Sequence, residues 1–466
     1  MRTRTYAPPI FAAALWLWPT LRPVAAQEIV AAPVAAPVPV PVPVAAAPLH
    51  TVSLTEALRT AHDHQPQLLL ARAQTAAARA RADQARAPLL PQVTGTASYQ
   101  RTTANFVARP GTVPTQFTSM AAATSLDTYN FFNFGLSLSQ YIWDFGQTTR
   151  RFQAARATAE AQHESEGTTR LAIDTAVQAA YFAARAQKAL LQVARETLAN
   201  QDRHLSQVQA FVRVGTRPEI DLAQARTDRA NAAVQVIAVE NAYAVAKAQL
   251  NLAMGSEGAV DYDVADDLLP PLPDEDQGIE ALLPIALQAR PEFQALQKQI
   301  SAQQLTVKAV QGAYGPSLSA GMSLTEAGTD ITQLAWNFSA SINLNWPLFQ
   351  GLLTMSQVRE QRENLAALQA QLATLRQQVR LDLESARLQV RASKATIAAA
   401  NEALQNARER LRLAEARYRT GVGSIIELGD AQLALTATSA QVVQADYALA
   451  NARSLLLRAL GQSPAA

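Results

Sequence analysis

The stretch Trp336-Asn-Phe-Ser-Ala-Ser-Ile-Asn-Leu-Asn-Trp346 decides the fold. Successive side chains of a strand point to opposite faces. That puts Trp336, Phe338, Ala340, Ile342, Leu344 and Trp346 on one face, and Asn337, Ser339, Ser341, Asn343 and Asn345 on the other. The first face is wholly apolar with tryptophan at both ends; the second is polar and uncharged. A strand crossing an outer membrane needs about 9–11 residues, with lipid on one side, water on the other and aromatic girdles at the interfaces. Phe132, Phe134, Leu136 and Leu138 alternate in the same way with Asn133, Gly135, Ser137 and Ser139, as do Leu318, Ala320, Met322 and Leu324 with Ser317, Ser319, Gly321 and Ser323. A soluble sandwich strand shares this alternation, but long helical stretches flank these strands and little other core material is available to cover them.

Around the strands the chain reads as helix. Ser53-Leu-Thr-Glu56 is a capping box that opens a helix running to about Ala87 and Pro88. A β-rich segment, 92–143, is followed by a long helical stretch from about 146 to Gly215 and a return helix from about Glu219 to Gly255. The second half repeats this order at about 279–312, 317–348, 352–421 and 424–461. Each long stretch matches in length the two shorter ones of its half laid end to end, a rod of roughly 100 Å at 1.5 Å per residue. In the second rod Leu365, Leu368, Leu372, Leu375 and Val379, then Leu383, Ala386, Val390, Ser393, Ile397, Ala400, Leu404, Ala407, Leu411, Ala414 and Tyr418, alternate three and four apart. That is coiled-coil spacing, interrupted at Val379 by a stutter that unwinds the supercoil locally.

The two halves align. Pro66 with Pro291 and Pro91 with Pro316 lie 225 residues apart, while Trp143 with Phe349, Gly215 with Gly421 and Gly255 with Gly461 lie 206 apart. The first copy therefore carries 19 extra residues, expected as a longer external loop around Thr102–Asn130 that holds Pro110, Gly111 and Pro114. The domain reading is a signal peptide 1–26, an Ala/Pro/Val-rich linker 27–50, a first repeat 51–260, an acidic connector 261–278, a second repeat 279–461 and a tail 462–466. The signal reading rests on Arg2 and Arg4 ahead of an apolar stretch from Ile10 to Leu17, and on small residues at Val24-Ala25-Ala26 before Gln27.

Composition narrows the function. Net charge is +2 over 466 residues, so there is no basic field for nucleic acid. The absence of cysteine excludes disulfides, thiolate metal sites and thiol nucleophiles. No uncharged apolar run reaches the roughly 20 residues of a membrane-spanning helix. Two hairpins supply four strands, whereas membrane barrels start at 8 and open edges cannot face lipid. Several copies must close one barrel, most simply with cyclic symmetry.

Both halves resemble the TolC-like outer-membrane efflux protein family. The resemblance covers about residues 51–461. It rests on Leu54-Thr-Glu-Ala-Leu58, the Pro66 helix, Leu90-Pro-Gln-Val93, the strand-to-helix junctions Ile142-Trp-Asp-Phe-Gly146 and Pro347-Leu-Phe-Gln-Gly351, and the two glycine-containing tips, in duplicated order. The family implies a mainly α fold with a membrane β-barrel part: a trimer whose twelve-stranded outer-membrane barrel continues into a twelve-helix periplasmic tunnel. It also implies a Gram-negative host, contact with outer-membrane lipid, a periplasmic adaptor and an inner-membrane pump of RND, ABC or MFS type. The implied role is an exit duct for efflux or type I secretion, with no enzyme activity and no cofactor. Gln65 stands where the family has Asn, and no cysteine follows the signal, unlike the lipid-anchored branch. A periplasmic coiled-coil scaffold or adhesin without a conducting pore is the alternative reading.

No catalytic constellation is present. In His62-Asp63-His64 the two imidazoles diverge on a helix, so the segment reads as solvated surface rather than a metal site. The run Asp261–Asp276 holds seven carboxylates and no base, and reads as a solvated connector. The tips are stronger candidates. By resemblance Val214, Gly215, Thr216, Thr420, Gly421 and Val422 dock the adaptor. Glu427 and Asp430 are i and i+3 on one helical face, and the resemblance implies that they line the periplasmic constriction. Tyr418 occupies the family's latch position, Asp221 its acceptor, and Arg217 matches a latch arginine of the opposite tip, where this chain has Gly423. Trp336, Phe338 and Trp346 form the membrane girdle.

Overall fold

Proline and glycine set the joints of this chain. The computed structural model describes residues 50–103, 126, 128–273 and 275–463. The expected signal peptide, the linker up to residue 49, most of the expected external loop (104–125 and 127), Asp274 and residues 464–466 of the tail lie outside the described residues. The helices are α1 (Leu54–His64), α2 (Pro66–Arg86), α3 (Gln147–Arg213), α4 (Glu219–Met254), α5 (Ile279–Ala289), α6 (Pro291–Gln311), α7 (Leu353–Arg419) and α8 (Ile425–Leu460). The strands are β1 (His50–Val52), β2 (Gln92–Thr103), β3 (Thr128–Trp143), β4 (Tyr262–Val264), β5 (Ser317–Gly328) and β6 (Ala335–Asn345).

The helices expected over 53–87 and 279–312 are each broken in two. Gln65 and Arg290 are extended, with ψ 116° and 119°. A residue before proline is pushed out of the helical region, and proline then suits the first helical position. Both breaks are buttressed by the cap of another helix. Gly255 ends α4 and Gly461 ends α8, both left-handed, and a Cβ on either would come within 2.7 Å of the backbone of Gln65 or Arg290 respectively. The 225-residue and 206-residue spacings thus meet in space at two equivalent joints.

α3 and α7 each run 67 residues, about 100 Å at 1.5 Å per residue. α3 packs along α2 and α4 and also against α6 and α8, and α7 packs along α5, α6 and α8. The seam read on α7 is the face it buries: Val379, Leu383, Ala386, Val390, Ser393, Ala400, Ala407, Ala414 and Tyr418 are buried, and Leu365, Leu368, Leu372, Leu375, Ile397, Leu404 and Leu411 half-buried. The largest apolar cluster lies midway along α3, where Tyr181 and Phe182 pack with Leu58, Leu68, Leu250, Val264 and Leu457.

The acidic connector is not a solvated tether. Its residues 262–264 form β4, which pairs in parallel with β1, so His50 belongs to this small sheet rather than to the linker. Tyr262 and Val264 are buried. Lys188 on α3 reaches Asp263 at 2.9 Å; Arg453 on α8 and Lys394 on α7 reach the buried Glu275 at 2.9 and 2.7 Å. Asp267 accepts from the Leu54 amide at 2.9 Å and the Tyr181 hydroxyl at 3.1 Å. The cations come from distant helices, which is why the run looks unbalanced when read alone. His62 also departs from a free surface position: its Nε2 lies 2.6 Å from the buried Asp174, whose other oxygen accepts from Ser463.

β2, β3, β5 and β6 form one antiparallel sheet in that order. In register, Val93, Leu138, Met322 and Ala340 share one row of the apolar face, and Gly95, Leu136, Leu324 and Phe338 the next. The opposite rows carry Thr94, Ser137, Ser323 and Ser339, then Thr96, Gly135, Thr325 and Asn337. Each strand-to-helix junction turns on two consecutive left-handed residues, Phe145 with Gly146 and Gly351 with Leu352. At the first, Asp144 accepts from the Gly146 and Thr148 amides, capping α3. Sheet and helix tips therefore lie at opposite ends of α3.

Candidate functional site

Two surfaces stand out, the outer rows of the sheet and the tips. On β6 Trp336 and Phe338, and just past its end Trp346, are 72%, 57% and 57% exposed, and Ile342 and Leu344 are exposed beside them. Ten residue steps at about 3.4 Å each put the two tryptophans about 34 Å apart along the strand. With a barrel tilt of about 40° that spans about 26 Å, the height of an outer-membrane apolar band. Among the described residues β2 and β6 each pair on one side only, so both edges of the sheet are open there.

At the tips Gly215 and Gly421 have φ of 77° and 81°, the left-handed conformation that ends a helix. The Thr216 amide bonds back to Phe211 and the Val422 amide to Arg417, at 3.0 and 3.1 Å, closing the last turns of α3 and α7. Ser424 caps α8 by accepting from the Glu427 amide at 3.1 Å. Val214 and Val422 stand exposed, 69% and 72%, at the turns.

Tyr418, Asp221 and Arg217 are brought together. Tyr418 and Asp221 are both buried, with the phenol oxygen 3.5 Å from the carboxylate. The Arg217 guanidinium lies 4.3 Å from the Tyr418 ring centre, and its Nη2 donates to the Tyr418 carbonyl at 3.0 Å. One turn thus grips the last turn of the other hairpin's long helix. Burial, then the Asp221 charge, raises the Tyr418 pKa, so the phenol keeps its proton and acts as donor. Val208, Ala225, Ala414, Leu428 and Ala431 pack around it.

The two other acids have different surroundings. Glu427 pairs with Arg417 at 3.0 Å. Asp430 is exposed on a groove of about 760 Å3 between α4 and α8, together with Ile220, Asp221, Asp228, Ile426 and Leu433. The sequence reading missed Arg417, the groove, and His204, a buried imidazole on α3 beside Tyr418. The position of His204, three residues after Gln201 and four before Val208 on the buried face, is the only trace it leaves in the sequence.

The sequence pattern of the family described as outer membrane efflux protein matches residues 57–256 and again 282–462. The chain belongs to this family. The toluene efflux pump outer membrane protein TtgF of Pseudomonas putida is 28% identical over 220 residues, 46% of this chain and 45% of the relative. The match thus spans about half the length of that relative. Among solved structures, a membrane protein from Pseudomonas aeruginosa aligns with TM-score 0.75 at 19% identity, over 89% of this chain and 91% of the other. The outer membrane protein VceC from Vibrio cholerae aligns with TM-score 0.73 at 17% identity, over 88% of this chain and 96% of the other. The fold is that of these two membrane proteins. Family membership places the chain in the outer membrane of a Gram-negative bacterium, and the family is one of channels rather than enzymes.

Proposed function

We propose that three copies of this chain close a twelve-stranded barrel and a helical tunnel, and serve as the exit duct of a tripartite efflux pump. The carrying observation is the four-stranded sheet: its central rows, those of Val93 with Ala340 and Gly95 with Phe338, are apolar on one face and uncharged and polar on the other, with Glu326 and Arg101 on the apolar face only towards the Trp336 end. Among the described residues its β2 and β6 edges are open, and it joins helices of 67 residues. An edge strand in lipid needs a partner, and β2 of one copy with β6 of the next is the pairing that cyclic closure supplies. Exposed Val234, Ile237, Leu381 and Leu388 on α4 and α7 supply apolar surface for the same assembly. Family membership favours the duct over a scaffold or adhesin.

On this reading residues 51–260 and 279–461 are duplicated halves preceded by a cleaved signal, 1–26. The turns at Val214, Gly215, Thr216 and Thr420, Gly421, Val422 dock a periplasmic adaptor that links the duct to an inner-membrane pump. Glu427 and Asp430 give two stacked rings of three carboxylates at the constriction, and charged rings at a narrow aperture select cations. The Tyr418, Asp221 and Arg217 contacts latch the two hairpins in the resting state. Relatives named for toluene efflux and for cation efflux support a small-molecule cargo.

Planar-bilayer recording tests the reading. The parent should conduct weakly at rest, and Tyr418→Phe with Asp221→Ala should raise resting conductance. Bulky residues at Gly215 or Gly421 should stop export while folded trimer remains in the membrane. A preparation that never conducts, with or without the latch, refutes the duct.

A further inference from the structure

His204 is 7% exposed on α3, and its ring meets Tyr418 edge to face, centroids 5.7 Å apart at 61°. It makes no hydrogen bond to any described residue. Charged and titratable groups face it from each element around it. Asp221 and Asp228 come from α4, and Glu415 and Tyr418 from α7. Arg217 reaches the Tyr418 ring from the turn, and on α8 Glu427 is occupied by Arg417. A largely buried imidazole without a hydrogen bond thus lies beside the latch, with carboxylates on two helices that the latch holds together. This arrangement tolerates a neutral ring and resists a charged one, because a buried cation needs water or a directly bonded partner.

We propose that His204 is a proton-operated positioning residue of the gate. Neutral, it holds the Tyr418 ring against Asp221; protonated, it draws in water, competes for the Asp221 carboxylate and releases the hairpins. The inference rests on the latch reading above.

The sign follows from the surroundings. Burial holds the imidazole below its ordinary value of 6.5, outweighing the pull of Asp228, Glu415 and Asp221 in the other direction. Opening admits water and removes that penalty, while the acids remain near. The opened state therefore binds the proton more tightly than the latched state. Latching is at full strength above about pH 6.5 and weakens as pH falls through the depressed value.

The test is resting open probability of the full-length protein in planar bilayers at pH 7.5 and pH 5.0. The parent should open more often at pH 5.0 than at pH 7.5, because the opened state binds the proton more tightly. His204→Phe, which keeps the ring contact without a titrating proton, should stay closed at both pH values. If His204→Phe does not assemble, His204→Gln carries the same comparison. A parent that stays closed at pH 5.0, or a variant that opens with acid as the parent does, overturns the proposal. Failure of the latch itself reads differently: Tyr418→Phe with Asp221→Ala would then be as closed as the parent at pH 7.5.

Discussion

Replacing Arg217 by alanine removes two contacts between the hairpins at once. The first is the guanidinium over the Tyr418 ring at 4.3 Å, worth about 1 kcal/mol at a partly exposed site. The second is the charged hydrogen bond to the Tyr418 carbonyl at 3.0 Å, worth about 1.5 kcal/mol. Because Arg217 is half-buried, solvent screening reduces the pair to about 2 kcal/mol per chain. That is about thirtyfold in the latch equilibrium. Arg217→Lys keeps the charge over the ring and loses the planar fork, so it should recover about half of the loss. The assay is resting conductance in planar bilayers at neutral pH. Both contacts end on uncharged groups, so the effect should change little with salt. Conductance of Arg217→Ala equal to the parent, in a correctly assembled channel, would refute the idea that the turn grips the opposite hairpin.

Glu427→Gln with Asp430→Asn should lower cation selectivity and block by trivalent cations, read as a shift in reversal potential under a salt gradient. Burial raises the Glu275 carboxyl, but Arg453 and then Lys394 outweigh it and hold the group below its ordinary 4.5. Its contribution to stability is therefore present above pH 4.5 and lost as pH falls through the depressed value, and a Glu275→Gln variant should show a shallower acid dependence of melting temperature than the parent. Arg453→Met leaves the buried Glu275 with Lys394 alone and should destabilise by about 3 kcal/mol, measured by thermal unfolding in detergent. Gly255→Ala and Gly461→Ala force a Cβ onto the backbone of Gln65 or Arg290, and should lower the unfolding temperature while Gly429→Ala, with open space around it, should not.

Much of this architecture is written in periodicity, which one chain carries by itself. The α7 seam could be read position by position because each three- or four-residue step has one geometric meaning. The β6 face was equally legible because alternation leaves a two-residue signature. Short elements left no such trace: β1 and β4 are three residues each and exist only through each other. The proline breaks at Gln65 and Arg290 were hidden by continuous helical composition on both sides. At the tips, the family resemblance pointed to Tyr418, Asp221 and Arg217, but not to the pairing of Glu427 with Arg417, which depends on where that side chain reaches. His204 was invisible because a histidine on a buried helix face reads as core until its neighbours are known.

In the proposed assembly β2 of one copy pairs with β6 of the next, and three copies close the ring. The chain has no cysteine, so cross-linking can be read without background. Cysteine placed at Thr96 on β2, combined in turn with cysteine at Ser339, Ser341 or Asn343 on β6, should yield upon oxidation in outer membranes a ladder of one, two and three chains that stops at three. Within one chain β2 and β6 are the two outer strands of the sheet, about 14 Å apart at the usual strand spacing, too far for a disulfide. A closed threefold ring gives a ladder ending at three chains; monomer alone at every pair, or a ladder that continues past three, rules that ring out.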